Sequence, residues 1–174
     1  MALGAKEAAA EPEVVEGVCG CHEVRLWAGA GEVSTAPGRA LVQHSPMTAP
    51  KATIWGTGLI GASLGMALRD IGWRVAGWDP SLEALDIAAE RGAVDDLLSR
   101  PTPEDADLLV LAGPQAATVG SLRGLDTETL VTDVAAVKAP VVAAASDLPH
   151  FVGGHPMAGR AGSGARLATP NLFR

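Results

Sequence analysis

The sequence predicts an α/β fold built on a doubly wound parallel sheet. Three observations point there. From Thr53 onward, short apolar runs alternate with helical runs, and Gly or Pro marks the joins. Leu108-Leu109-Val110-Leu111 is apolar without alternation, as a strand covered on both faces must be. A glycine-rich turn, Gly56-Thr57-Gly58-Leu59-Ile60-Gly61, lies directly between the first predicted strand and the first predicted helix.

The elements follow in order. Lys51–Trp55 reads as the first strand and Leu59–Ile71 as a helix. Arg74–Trp78 is the second strand. Asp79 then stands where a helix N-cap would, with Pro80 at the first helical position. Leu82, Leu85 and Ala89 give that helix an apolar stripe, and Gly92 stops it. A short edge strand is expected around Val94–Leu98. The strand Asp107–Ala112, the helix Gln115–Leu122, the strand Leu130–Asp133, the helix Val137–Ser146 and the strand Phe151–Gly153 complete the series.

Composition narrows the classes of function. The 174 residues fit one domain, or one domain plus a tail, and 48% hydrophobic residues can fill one core. Twenty acidic residues against thirteen basic ones leave a net charge of −7, which argues against a nucleic-acid partner. No apolar run is long enough for a membrane helix, and Met1–Ala10 does not read as a secretory signal. Two cysteines make no disulfide framework, so a cytoplasmic location is expected. Residues 1–46 have no sustained apolar period. Pro12 interrupts the run Glu7–Glu16, and Val24–Trp27 alternates like a strand with no partner in sequence. The expected division is an irregular or disordered leader over 1–46 and a dinucleotide-binding domain over 47–174; either Met47 is the natural start or residues 1–46 are a mobile leader. Cys19-Gly20-Cys21-His22 is too tightly spaced for a zinc pair and has no second pair, so no metal site is expected.

The glycine turn carries the first chemical signal. Gly56 permits the tight turn, Gly58 lets backbone N–H groups approach a pyrophosphate, and Gly61 lets helix and strand pack closely. Thr57, Leu59 and Ile60 complete the loop at a helix N-terminus whose partial positive charge suits phosphate. Asp79, about 20 residues further on with Pro80 beside it, is placed to accept hydrogen bonds from a ribose. Its charge would repel a 2′-phosphate, which favours NAD over NADP. The plainer alternative is a structural turn with Asp79 acting only as a cap. Ala112-Gly113-Pro114 follows the next central strand and could lie along the nicotinamide half of the cofactor, or be a simple loop. Trp55 and Trp78 read as core or edge packing, Asp133 as a helix cap, Lys138 as a solvated helix residue and His150 as a surface residue.

The second signal is Gly153-Gly154-His155-Pro156-Met157-Ala158-Gly159. Small and rigid neighbours make His155 project from a constrained turn at the sheet's ligand-binding end. An imidazole there can bond a substrate hydroxyl and accept its proton while hydride leaves the carbinol carbon. Ser63 has no His or Asp arrangement that would make it a nucleophile.

Together these stretches resemble the prephenate/arogenate dehydrogenase family. The matching segments are Ile54–Leu64, Gly77-Trp78-Asp79, Gly92-Ala93-Val94-Asp95, Asp133-Val134-Ala135-Ala136-Val137-Lys138 and Phe151–Gly159, with Ser163-Gly164 and Asn171-Leu172-Phe173 near the end. The resemblance covers about residues 51–174 and implies a Rossmann-type domain. The implied activity is NAD-dependent oxidative decarboxylation of prephenate or arogenate in tyrosine biosynthesis. It places His155, with Gly154, at the substrate ring hydroxyl. The family has Ser where Ala136 stands, and often an acid near Ala161. Its members continue into a helical C-terminal domain that forms a homodimer and supplies an arginine for the substrate carboxylate. That domain is expected to be absent here, so the chain is expected to bind NAD without turning over substrate alone. A related hydroxyacid dehydrogenase and a non-catalytic NAD-binding remnant are the alternative readings.

Overall fold

The computed structural model describes residues 48–103 and 105–174. The expected leader, with Cys19, Cys21, His22, His44 and the Val24–Trp27 segment, lies outside the described residues. Six strands form one sheet: β1 (Lys51–Trp55), β2 (Arg74–Trp78), β3 (Asp96–Leu97), β4 (Leu108–Leu111), β5 (Leu130–Asp133) and β6 (Phe151–Val152). Their spatial order is β3-β2-β1-β4-β5-β6, and every pairing is parallel. That order is the doubly wound arrangement of dinucleotide-binding folds, with the reversal between β1 and β4.

The helices are α1 (Leu59–Asp70), α2 (Leu82–Glu90), α3 (Gln115–Leu122) and α4 (Ala139–Ala144), and a 3₁₀ turn follows at Ala165–Leu167. Alternate strand residues feed two cores. Ala52, Ile54, Val75 and Val110 join Ala62, Met66 and Ala88 on one face, while Leu109, Leu111 and Val131 join Leu122 and Val141 on the other. This two-sided burial explains why β4 shows no polar alternation. The final segment returns to the first core. Ala165 and Ala168 are buried there, Arg91 donates to the Ala168 carbonyl at 2.8 Å, and the Thr169 amide donates to Ser63 Oγ at 3.1 Å. Ser63 is therefore a buried structural acceptor.

Several expectations needed correction. Asp79 is not the cap of α2. Ser81 takes that position, its hydroxyl accepting from the Ala84 amide at 3.2 Å, and the helix begins at Leu82. Asp79 Oδ1 accepts from the Ser81 amide two residues on, at 2.9 Å, so Asp-Pro-Ser forms an Asx turn ahead of the helix. Leu82 is exposed, and the buried side of α2 is Leu85 and Ala88 rather than Leu82 and Ala89. The edge strand shortens to Asp96–Leu97. The fourth helix starts at Ala139 because the residues after Asp133 form a hydrogen-bonded turn around its carboxylate. Gly92 does end α2, with φ of +72°.

The register sets the level of the functional loops. Trp55 pairs with Trp78 and with Leu111, and Leu111 pairs with Asp133. The four segments that follow these residues therefore leave the sheet side by side at its C-terminal edge, the ligand side of such folds.

Candidate functional site

At that edge Gly56 adopts φ of +100°, a left-handed conformation that glycine tolerates best. A Cβ there would come within 2.6 Å of the backbone of Ala112 and Gly113. Gly61 is tighter still, since a Cβ would lie 1.9 Å from the Gly56 carbonyl oxygen. By contrast, a Cβ on Gly58 would meet nothing within 4 Å, so the turn opens at its middle. Gly58 is the N-cap of α1, no side chain caps that end, and the first turn carries no acidic residue. The free N–H groups and the positive end of α1 are thus left facing the opening. A pyrophosphate fits this arrangement, because it can approach the backbone and supply the missing acceptors.

Asp79 is bound to this turn. Its Oδ2 accepts from the Thr57 amide at 2.8 Å and, more weakly, from the Thr57 hydroxyl at 3.4 Å. Thr57 is fully buried, so the carboxylate is held from the sheet side and by the Ser81 amide from the other. A carboxylate offers about four lone-pair directions, so acceptor capacity remains for ribose hydroxyls.

A cleft of about 400 Å³ lies between the ends of β1, β2 and β4. It brings together Gly56, Gly58, Asp79, Pro80, Ala112, Gly113 and Pro114, seven of the residues expected from sequence to contact the cofactor. Thr57, Leu59, Ile60 and Gly61 support it from the turn and from the start of α1. Trp55 and Trp78 also line it, packed edge to face with ring centres 6.4 Å apart. Trp55 is both core residue and cleft wall, and its indole Nε1 is buried with no hydrogen-bond partner among the described residues. Sequence reasoning missed Ala117, Thr118 and Ser121 of α3, which complete the cleft. Their spacing, Ala117 and Thr118 one helical turn beyond Gly113-Pro114 and Ser121 a turn further, was the available signal.

His155 and Gly154 do not line this cleft. They follow β6, whose Phe151 and Val152 pair with Val131 and Thr132 of β5. His155 is exposed, and Met157 is 94% exposed. Gly154 is held against Asp133. Its amide donates to Asp133 Oδ1 at 3.2 Å, and a Cβ on it would stand 2.4 Å from the Asp133 carbonyl oxygen. Lys138 is not a simple solvated residue. Its Nζ donates to Asp133 Oδ2 and to the Gly154 carbonyl, because the buried carboxylate needs a cation. Asp133 bonds the Ala135 amide at 2.8 Å, in an Asx turn rather than a helix cap. Ala136 is exposed on the turn between them. His150 is half exposed, lies just before β6 and pairs with Glu128 at 3.4 Å. Among the described residues no group of three or more His, Cys, Asp or Glu could hold a metal ion, and no helix is long and apolar enough to cross a membrane.

Comparison with known proteins agrees with this layout. The family model for the prephenate dehydrogenase nucleotide-binding domain matches residues 64–174, starting just past the glycine turn. A probable prephenate dehydrogenase of Streptomyces niveus is 40% identical over 129 residues, which is 70% of this chain and 35% of that protein. The crystal structure of Synechocystis arogenate dehydrogenase superposes with a TM-score of 0.63 at 34% identity, covering 71% of this chain and 46% of that one. Prephenate dehydrogenase from A. aeolicus, in complex with hydroxyphenyl propionate and NAD+, superposes with a TM-score of 0.66 at 27% identity, covering 75% and 49%. The chain thus spans between 35% and 49% of the length of these three relatives. A Rossmann-type sheet, a glycine turn with its acidic partner and a family match over most of the described residues converge on one assignment: the chain belongs to the prephenate dehydrogenase family.

Proposed function

We propose that this domain binds NAD and serves the NAD-dependent oxidative decarboxylation of prephenate or arogenate. The observation that carries the reading is the Asp79 carboxylate, fixed to the glycine turn by the Thr57 amide and lining the same cleft as that turn. Trp78, Pro80 and α3 would hold the adenosine half, with Asp79 accepting from its ribose hydroxyls, and Gly58 at the start of α1 would take the pyrophosphate. The negative charge of Asp79 makes the site select against a 2′-phosphate.

When bound, the nicotinamide supplies a hydride acceptor. The chain's part in the chemistry then falls to His155. Its imidazole hydrogen-bonds the ring hydroxyl at the carbon that loses hydride and takes the hydroxyl proton as the carbonyl forms. The ring carboxylate departs as CO2, its bonding electrons aromatise the ring, and the proton returns to the phenolate oxygen. Ala136, which has no hydroxyl, leaves His155 to do this without a neighbouring serine. The family's homodimeric assembly, with small-molecule substrates and neither nucleic acid nor membrane as partner, completes the reading. The acidic charge balance and two cysteines support a cytoplasmic setting.

Tryptophan fluorescence tests the binding half directly, because Trp55 and Trp78 line the cleft. NAD should quench it and bind at least about tenfold more tightly than NADP, the scale of one charge-assisted contact. Tighter binding of NADP would remove the role of Asp79. The catalytic half is tested by turnover of both substrates by the full-length gene product. His155→Asn should lower the rate about 10²–10⁴-fold, the usual share of a general base. Absence of turnover with intact NAD binding would favour a non-catalytic binding module.

A further inference from the structure

We infer that the buried Asp133–Lys138 pair is a positioning device for His155, an inference that rests on the catalytic role given to His155 above. The pair grips both backbone polar groups of Gly154. Asp133 Oδ1 accepts its N–H at 3.2 Å, and Lys138 Nζ donates to its carbonyl. That carbonyl belongs to the peptide group whose nitrogen is the nitrogen of His155. The ammonium therefore fixes the orientation of the peptide plane from which the imidazole departs. One residue earlier, Thr132 Oγ1 donates to the Val152 carbonyl at 2.7 Å, so the approach to Gly154 is also held.

Two features make the grip specific to this point of the chain. The first is space. A Cβ at this position would lie 2.4 Å from the Asp133 carbonyl oxygen, so only glycine fits, and Gly154 brings its backbone within reach of both charges. The second is that little else holds His155. Beyond Gly154, the next described hydrogen bond along the chain is from Arg160 Nη1 to the Leu167 carbonyl. Pro156 restricts His155 to extended backbone without supplying a bond of its own. The direction of the imidazole is thus set from its N-terminal side, by the ion pair. The Asp133 side chain has no exposed surface, whereas that of Lys138 is 30% exposed, which lets the cation reach from the helix side to a carboxylate at the end of β5.

Per-residue amide exchange and side-chain relaxation of the 174-residue chain, measured by NMR, provide the test. In Lys138→Met the Gly154 carbonyl loses its cationic donor and the peptide plane its anchor, so protection of the Gly154 amide, whose bond to Asp133 Oδ1 is then unsupported, should fall about tenfold or more. The order of the His155 imidazole Cε1–H bond should fall with it. The affinity for NAD should stay within about twofold, and so should protection in β1 and β4 once Asp133→Asn is added to remove the unpaired charge. Unchanged exchange at Gly154 in Lys138→Met, or a loss spread evenly over the sheet in Asp133→Asn/Lys138→Met, would overturn the inference in favour of a purely structural pair. Should Lys138→Met not fold, Asp133→Asn/Lys138→Met leaves no unpaired charge and should show the same local loss; failure of that variant to fold would also overturn it. In the full-length gene product, Lys138→Met should lower kcat while leaving KM for NAD unchanged. A wild-type protein that turns over neither substrate would remove the proposed reaction and leave the exchange result standing.

Discussion

The turn after β1 and the turn after β6 are held in opposite ways. The first is fixed by shape. Gly56 and Gly61 let two backbones approach until no Cβ could be inserted, and the Asp79 carboxylate closes the turn from a neighbouring strand. The second is fixed by charge. Gly154 is clamped between a buried carboxylate and a cation, and His155 and Met157 after it are exposed. A surface built for a large, constant ligand can be rigid throughout. One that must address a single reacting hydroxyl needs one fixed point and open space beside it.

The most damaging way to break this contrast is at Gly61. Gly61→Val would drive side-chain atoms into the Gly56 carbonyl, which cannot move without tearing the turn from Ala112. Stability should drop by about 3 kcal/mol or more in urea titration, at the upper end for overpacking. A fall below 1 kcal/mol would show that the turn is less tightly packed than its geometry indicates. Next comes Lys138→Met. Leaving the Asp133 carboxylate buried and unpaired should destabilise the domain by about 3 kcal/mol, and adding Asp133→Asn should recover most of that. Failure of the second substitution to help would mean that packing, not charge, holds the second turn.

Asp79→Ala should cost less, about 1 kcal/mol, since the Thr57 and Ser81 amides lose an acceptor at a half-exposed site open to water. Its main effect should be on binding, with NAD weakened about tenfold and the gap to NADP narrowed, read by fluorescence. The smallest effect sharpens the contrast between buried and surface charge. The Arg74 guanidinium, bonded to both Asp96 oxygens at 2.7 and 2.8 Å, holds the Asp96 carboxyl below the usual carboxylate range. A depressed carboxyl contributes stability above its ordinary value and loses it as pH falls, here below about pH 4. The pair is exposed, so the contribution is small and screened by salt. Urea titrations at pH 7 and pH 3.5 should differ slightly more in the wild type than in Asp96→Asn.

The same contrast decides what could be read from sequence. The glycine turn is local: strand, turn, helix and acid follow one another, and the structure brings Gly56, Gly58, Asp79 and Pro80 to one cleft. Strand and helix periodicity likewise located each strand and α-helix, though not the 3₁₀ turn at Ala165–Leu167, because burial leaves its mark on neighbouring residues. What escaped was cooperation at a distance. Lys138 read as solvated because its partners are Asp133, five positions back, and the carbonyl of Gly154, sixteen positions on. Asp79 read as a helix cap because Asp-Pro is a common helix start. Ser81, two residues later, competes for that role and wins because the Asp79 carboxylate is already committed to Thr57. Trp55 read as packing alone since its position at the strand end, level with Trp78 and Leu111, is set only by register.

The return of the C-terminal segment to α1 and α2 adds a further consequence. Residues 155–164 run between two moorings, Gly154 on the ion pair and Ala165 in the first core, with Thr169 tied to Ser63 just beyond. A chain moored at both ends explores far fewer arrangements than a free tail, and the entropy of bringing those ends together is surrendered when the domain folds. Were substrate to bind at His155 as proposed, it would have less disorder to suppress, and more of its contact energy would be expressed as affinity.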